Sequence, residues 1–459
     1  MPNTLLVPEL REILHTGKKE ELQFFLEDIH PALAAEFLAA LEIPELIKIL
    51  GWLEIGLATD IFTNLPREDQ ISIIQKATTD EIGDILDLMP PDDRADLFNE
   101  LNDDEQEKML PAMDSEERED LEHLAAYPEG TAGSVMTTDF ITLSPAMTAS
   151  EAIEKLRSEA PRRETIYYSY CVDEQGRLIG FVSLKDLILA RSDETIIEFM
   201  HTEVFSIRSD LDQEEAARVI QKYDLIAIPV TSKEGLLEGI ITHDDAIDII
   251  TEEHTEDMEK LMAITGSHEA SAYLKTSSFI HFRNRAGWLI ALSAVGMISG
   301  SIIHSYEDTL NRFMILALYM PMIADSGGNA GSQASTVVIR ALALQEIIVS
   351  DIWKVIWKEI RISLMLAGIL GLMAWGKVMF LSSGTDIPTG VSLPQIAGII
   401  GLALGLQVVS SAIIGAVLPL SAARLKLDPA LIASPALTTV VDITGLLIYF
   451  NIASYLLNL

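Results

Sequence analysis

The sequence predicts a multidomain membrane protein: an all-α superhelical N-terminal domain, a tandem pair of α/β modules, an acidic connecting helix and a five-helix α transmembrane domain. Three observations predict it. The 459 residues combine a formal net charge of −37 with 49% hydrophobic residues, which does not suit one water-soluble body. The charge is segregated, with 60 acidic against 22 basic residues in 1–281 and 9 against 10 in 282–459. A stretch inside the acidic part also repeats itself.

Residues 1–130 show helical periodicity with a recurring start signal: His30-Pro31, Leu65-Pro66-Arg67-Glu68-Asp69 and Met89-Pro90-Pro91-Asp92-Asp93. Proline in a first turn costs no hydrogen bond, and acids there meet the positive end of the helix dipole. A repeat-like helical domain is expected.

Residues 131–250 hold the repeat, in copies 131–196 and 197–250. Met136 and Ala152 match Met200 and Ala216 at a spacing of 64, while Gly176, Gly180 and Asp186 match Gly235, Gly239 and Asp245 at 59. The first copy therefore carries a five-residue insertion, placed near Glu159 to Glu164. Each copy reads as a short strand, a helix, two β-rich strands and a helix opened by Lys185-Asp186 or Asp244-Asp245. The two β-rich pairs are 166–172 with 178–183, and 227–231 with 237–242. This pattern resembles tandem cystathionine-β-synthase (CBS) domains, modules that often sense nucleotides or ions.

Residues 243–281 form the acidic connecting segment, read as a helix from His243 to Ile264. Its i, i+4 pairs of like charge, such as Asp244/Asp248 and Glu252/Glu256, destabilise an isolated helix, so something must compensate them. Hard oxygen donors without thiols select magnesium or calcium over zinc, and no EF-hand spacing is present.

Residues 282–459 contain five apolar segments: 286–303, 313–324 continuing through a polar stretch to 344, 360–381, 396–420 and 429–457. Roughly 20 apolar residues cross a bilayer. Bases sit before the first segment (Arg283, Arg285), after the second (Arg340, Lys354, Lys358, Arg361) and after the fourth (Arg424, Lys426). The positive-inside rule makes those ends cytoplasmic, placing the acidic domains in the cytosol and the C-terminus outside a cell (inner) membrane crossed several times. The second segment is interrupted by Ala324 to Gln333, with three glycines after Pro321, and is expected to be irregular backbone lining a cavity. Asp442 in the fifth is expected to face water or a cation. Its alternatives are a cap on a helix break, or a pair with a buried base, of which Lys377 is the only one well inside a segment. Ser434, Thr438 and Asp442 are spaced by four and share a helix face.

Some functions are disfavoured. An acidic soluble half is repelled by phosphate backbones, arguing against nucleic acid. The single cysteine, Cys171, suits a reducing compartment. The first ten residues show no signal-peptide pattern. With no nucleophile elbow, Walker loop or paired histidine site, the chain does not read as an enzyme.

The order of parts is similar to that of the MgtE family of magnesium channels, across essentially the whole chain. The specific pieces are P-x-x-x-x-x-G-G-N-x-G-x-Q, here Pro321 to Gln333, and D-P-A-L-x-x-x-P-x-x-T-x-x-x-D-x-T-G-L-L-I-Y, here Asp428 to Tyr449. The resemblance implies a homodimer in the lipid bilayer with its pore between the second and fifth spans. Asp442 would bind hydrated magnesium, and Asn329, Thr438, Ser434 and Ala433 would line the path. It further implies closure by cytosolic magnesium on Asp212, Glu214, Asp224, Asp245, Asp248, Glu253, Glu256 and Asp257, with Asp92, Asp93 and Asp96 from the helical domain. Cobalt, manganese or calcium would be the alternative cargo. Some family members bind ATP in the CBS pair. Tyr168 and Asp186 remain here, but Leu225 and Lys185 stand where an aromatic and an arginine occur, which argues against strong ATP dependence.

Overall fold

The computed structural model describes residues 6–262, 264, 276–385, 387, 388 and 390–458, excluding the side chains of Asp80 and of 430–435. The chain divides into two units, Met1–Glu253 and His254–Leu459.

The first unit opens with ten short helices, from α1 (Val7–Thr16) to α10 (Ser115–Leu124). The proline signals fall where expected. α3 (Pro31–Leu38) is capped by His30, whose Nδ1 accepts from the Ala32 amide at 3.3 Å, and α6 (Arg67–Lys76) and α8 (Pro91–Glu100) start directly after prolines. Each helix buries one stripe, for example Leu46, Ile49 and Leu50 of α4 (Ile43–Leu50), into a shared apolar core.

Two matching α/β modules follow. The first holds β1 (Thr142–Leu143), α11 (Ala149–Glu159), β2 (Tyr168–Val172), β3 (Leu178–Ser183), α12 (Leu184–Leu189) and α13 (Ile196–Phe199). The second holds β4 (Ile207–Arg208), α14 (Gln213–Tyr223), β5 (Ala227–Thr231), β6 (Leu237–Thr242) and the start of α15 (His243–Leu261). In each sheet the short first strand pairs parallel to the second, and the second pairs antiparallel to the third. The expected strands stand, the first β-rich one beginning at Tyr168 rather than 166. The insertion in the first copy is a 3-10 turn, Ala160–Arg162.

The repeated glycines have two separate duties. Gly176 and Gly235 turn their hairpins at φ of 79° and 83°, a region closed to most side chains. Gly180 and Gly239 admit the other module's strap: a Cβ on Gly180 would lie 2.8 Å from the His201 carbonyl, and one on Gly239 would lie 2.9 Å from the Thr137 carbonyl. The modules also exchange backbone bonds, Leu178 N to Gly235 O at 3.0 Å and Leu237 N to Gly176 O at 3.1 Å.

In the second unit α16 (Ser278–Ser305) leads through the short α17 (Glu307–Arg312) to α18 (Met314–Ala343), α19 (Ile352–Leu381), α20 (Leu393–Arg424) and α21 (Pro429–Leu457). Among the described residues, four helical stretches are long and apolar enough to cross a membrane: Ser278–Ser305, Val349–Leu381, Leu393–Arg424 and Ala436–Leu457. α18 has the length, but polar residues dilute it. α20 is the central helix, burying Ile396, Ile400, Leu404, Val408 and Leu420. Tyr449 donates to the Leu316 carbonyl at 2.8 Å, tying α21 to α18.

Two expectations need correction. α18 runs unbroken through Ala324 to Gln333 instead of opening into irregular backbone. Its glycines are packing surfaces: Gly327 and Gly331 are buried, and a Cβ on Gly415 of α20 would stand 2.2 Å from the Gly331 carbonyl. The acidic helix ends at Leu261 rather than Ile264, and 263 and 265–275 of the connecting segment lie outside the described residues.

Acidic cluster and candidate ion path

In the first unit the sequence brings acids from three segments together. Asp92 and Asp93 occupy the first turn of α8, with Asp96 one turn on. Asp245 caps α15 by accepting from the Thr242 amide at 3.0 Å, and Asp248 and Glu252 follow on the same helix. Glu164 comes from the loop after the 3-10 turn. It was not among the expected ligands, although the five-residue insertion that carries it was visible.

The electrostatics show the crowding. Burial, then the charges of Asp245, Asp93 and Glu164, holds the Asp92 carboxyl well above its ordinary range. Asp93 is pushed up to about 6 by burial and by Asp245, Asp248 and Asp244, with Arg67 opposing. Asp96 rises to about 7, chiefly from the protein packed around it and then from Asp93, Glu252 and Glu100, again against Arg67. Glu164 rises to about 7 by desolvation and by Asp245 and Asp244. Burial and like charge also raise Asp245 and Glu252. Arg67 lies 4.0 Å from Asp96 and 3.1 Å from Glu100. One oxygen of Asp92, Oδ1, is buried with no hydrogen-bond partner.

Asp92 and Asp93 are half-buried while Asp96, Glu164, Asp248 and Glu252 keep solvent contact, so the cluster has a dehydrated floor and a wet rim. Among the described residues no three such side chains form a ready inner-sphere cage. An all-oxygen donor set with a wet rim fits a hard divalent ion that retains waters.

Other expected ligands are not brought to this cluster. Asp212 is the N-cap of α14, accepting from the Glu214 amide at 2.8 Å; Glu214 pairs with Arg218; and Asp224 ends the same helix in the left-handed conformation at φ 52°. Glu253 accepts from Gln213 at 2.8 Å, and Glu256 pairs with Lys260 at 2.7 Å. Asp257 is exposed on α15. Tyr168 packs edge-on against Phe181, with ring centres 5.4 Å apart. Asp186 accepts from the Ser183 amide at 3.1 Å and meets His201 Nε2 at 3.0 Å.

In the second unit α18 buries Leu316, Tyr319, Ile323, Gly327, Gly331 and Ser335 on one side. On the other it exposes Asp325, Asn329, Gln333 and Thr336, a polar stripe at helical spacing. Asp442 on α21 is half-buried, and among the described residues no cation pairs with it. Lys377 does not serve as its partner, since its Nζ lies 3.9 Å from Met322 Sδ on the exposed side of α19. Nor does Asp442 cap a helix break, for α21 is continuous around it. Thr438, one turn earlier, is exposed. Ala433 and Ser434 lie where side chains are outside the described residues.

Comparison with known proteins covers both units. The family model described as MgtE, divalent cation transporter, matches residues 320–452, and the model for the MgtE intracellular N domain matches 29–130. CBS-domain models match 132–193 and 196–252. A "Magnesium transporter MgtE" from Thermus thermophilus is 38% identical over 74% of this chain and 72% of its own length. One from Bacillus subtilis is 32% identical over 96% and 95%. The crystal structure of the soluble part of a magnesium transporter aligns with TM-score 0.51 and 31% identity, covering 54% of this chain and 97% of that one. With relatives of that identity spanning most of both chains, the protein belongs to the MgtE family of magnesium transporters.

Proposed function

We propose that two copies of this chain form a magnesium-conducting path in the cell membrane, lined by α18 and α21 and closed when cytosolic magnesium occupies the acidic cluster. The observation that carries the path is Asp442, a carboxylate inside an apolar helix with no described counter-charge. A carboxylate at bilayer depth costs roughly 2.5–3.5 kcal/mol even on mild scales, so it is retained where water or an ion reaches it. Magnesium gives up its waters reluctantly, and two symmetry-related carboxylates would meet the hydrated ion without stripping it. The stripe of Asp325, Asn329 and Gln333 gives the waters hydrogen-bonding partners. Thr438, with Ser434 and Ala433 by position, extends the lining. All five long helices of the second unit span the membrane, with the first unit in the cytosol and the C-terminus outside.

For closure, the floor of Asp92, Asp93 and Asp245 and the rim of Asp96, Asp248 and Glu164 supply the ligands, with Glu253, Glu256 and Asp257 further along α15. When magnesium falls, the uncompensated charges separate α8 from α15, and α15 carries that change toward the membrane. Asp212, Glu214 and Asp224 take no part in sensing, because Asp212 and Asp224 cap the two ends of α14 and Glu214 pairs with Arg218. Closure does not depend strongly on nucleotide, since Asp186 is engaged by Ser183 and His201.

Flux into proteoliposomes with low or high magnesium on the cytosolic face tests both parts. Flux at low magnesium that is suppressed at high supports the reading. No magnesium flux in folded, inserted protein under either condition overturns it, and cobalt, manganese and calcium in the same assay decide the cargo.

A further inference from the structure

The second unit buries one amide that the conduction scheme does not use. Gln407, midway along α20, is 0% exposed. Its Nε2 donates to the Val441 carbonyl at 2.9 Å, the residue immediately before Asp442. The same amide is gripped from both sides by bare backbone. A Cβ on Gly327 of α18 would stand 2.5 Å from Gln407 Nε2, and a Cβ on Gly445 of α21 would stand 2.6 Å from it. Thr444 Oγ1 also donates to Val441 O, at 3.1 Å, and Ser410 Oγ lies 3.4 Å from Gln407 Oε1.

A glutamine inside apolar helices is costly unless its hydrogen bonds are made, and an aliphatic side chain of similar size would fill the space without that cost. What the amide adds is direction. Its bond fixes the rotation of α21 at the turn that carries Asp442, and its width fixes the approach of α18 two residues before Asn329. Resting on the reading of Asp442 and Asn329 as the ion path, we propose that Gln407 is a positioning residue that sets the spacing between these two helices and thereby determines which hydrated divalent cation passes.

Discrimination between ions of equal charge depends on where ligands are held, and a shift of about 1 Å in a positioned group is worth up to about a hundredfold. The test is Gln407→Met in the full chain, reconstituted in proteoliposomes, with magnesium and calcium fluxes and thermal stability measured together. The expected result is folded protein whose magnesium-to-calcium flux ratio falls about tenfold. An unchanged ratio in folded protein overturns the inference. Should the Met variant not fold, the pair Gln407→Ala with Gly445→Ala places a methyl where the amide stood and is read in the same way. Failure of both variants to assemble shows a packing residue only, and overturns the inference as well. Asp442→Asn, run in parallel, separates the two readings. If it conducts normally, the ion path itself is misplaced. If it blocks flux while Gln407→Met keeps full selectivity, only the role of Gln407 falls.

Discussion

The two units handle negative charge in opposite ways. In the first, carboxylates from α8, α15 and the Glu164 loop are packed until several are raised by one another, with Arg67 as the opposing base. In the second, Asp442 stands half-buried within an apolar helix, and among the described residues no cation pairs with it. On the proposed reading, crowding suits a sensor, because each carboxylate gains when a neighbour is neutralised, so affinity depends on the state of the whole group. On the same reading, the sparse carboxylates of the second unit suit a conduit, because few charges attract a divalent ion without trapping it.

That contrast can be broken first at Asp442. Asp442→Asn should reduce magnesium flux about a hundredfold with folding intact, read in proteoliposomes; flux within twofold of the parent would end its role. Next is the close helix packing beneath the path. Gly415→Ala puts a Cβ against the Gly331 carbonyl and should cost about 1–3 kcal/mol of stability, read as a fall in melting temperature in detergent. The sensor side should answer with affinity and not with flux. Asp93→Asn with Asp248→Asn should leave conduction at low magnesium unchanged and raise the closing concentration about tenfold, equivalent to ~1.4 kcal/mol.

Protons should partly replace magnesium in the cluster. With Asp93 at about 6 and Asp96 and Glu164 at about 7, the folded arrangement binds protons more tightly than the unfolded chain. Their contribution to stability is complete below the ordinary carboxylate range, about pH 4, and is lost as pH rises through 6 to 7. Amide exchange in α8 and α15 should therefore accelerate as pH rises without magnesium, and saturating magnesium should flatten the dependence. The smallest effect is expected at Asp212. Asp212→Ala should cost about 1 kcal/mol through loss of the α14 cap and leave closure unmoved.

Much of this arrangement is legible in the sequence, because local rules and tertiary structure agree there. The spacings of 64 and 59 locate both α/β modules, and the proline signals locate α3, α6 and α8. α18 departs from expectation, because Gly327, Gly328 and Gly331 look like helix breakers yet lie within an unbroken helix. In an apolar setting the backbone has no better partner than its own helix, and two of the three glycines serve instead to let α20 approach. Gln407 is not legible in the sequence, because a lone glutamine in a long apolar run signals nothing until the carbonyl it meets is known. Glu164 joins the acids of α15 only through folding across some 80 residues, a distance that local periodicity does not span.

The polar stripe of α18 also bears on how the protein is made. A newly inserted chain that presents Asp325, Asn329, Gln333 and Thr336 to acyl chains leaves amides and a carboxylate without solvation on that flank, while its other flank is already packed on α20. On the proposed pairing of two chains, a chain without its partner is an unfinished intermediate, because its stripe is left uncovered. Abundance in the membrane would then follow the rate of encounter between chains.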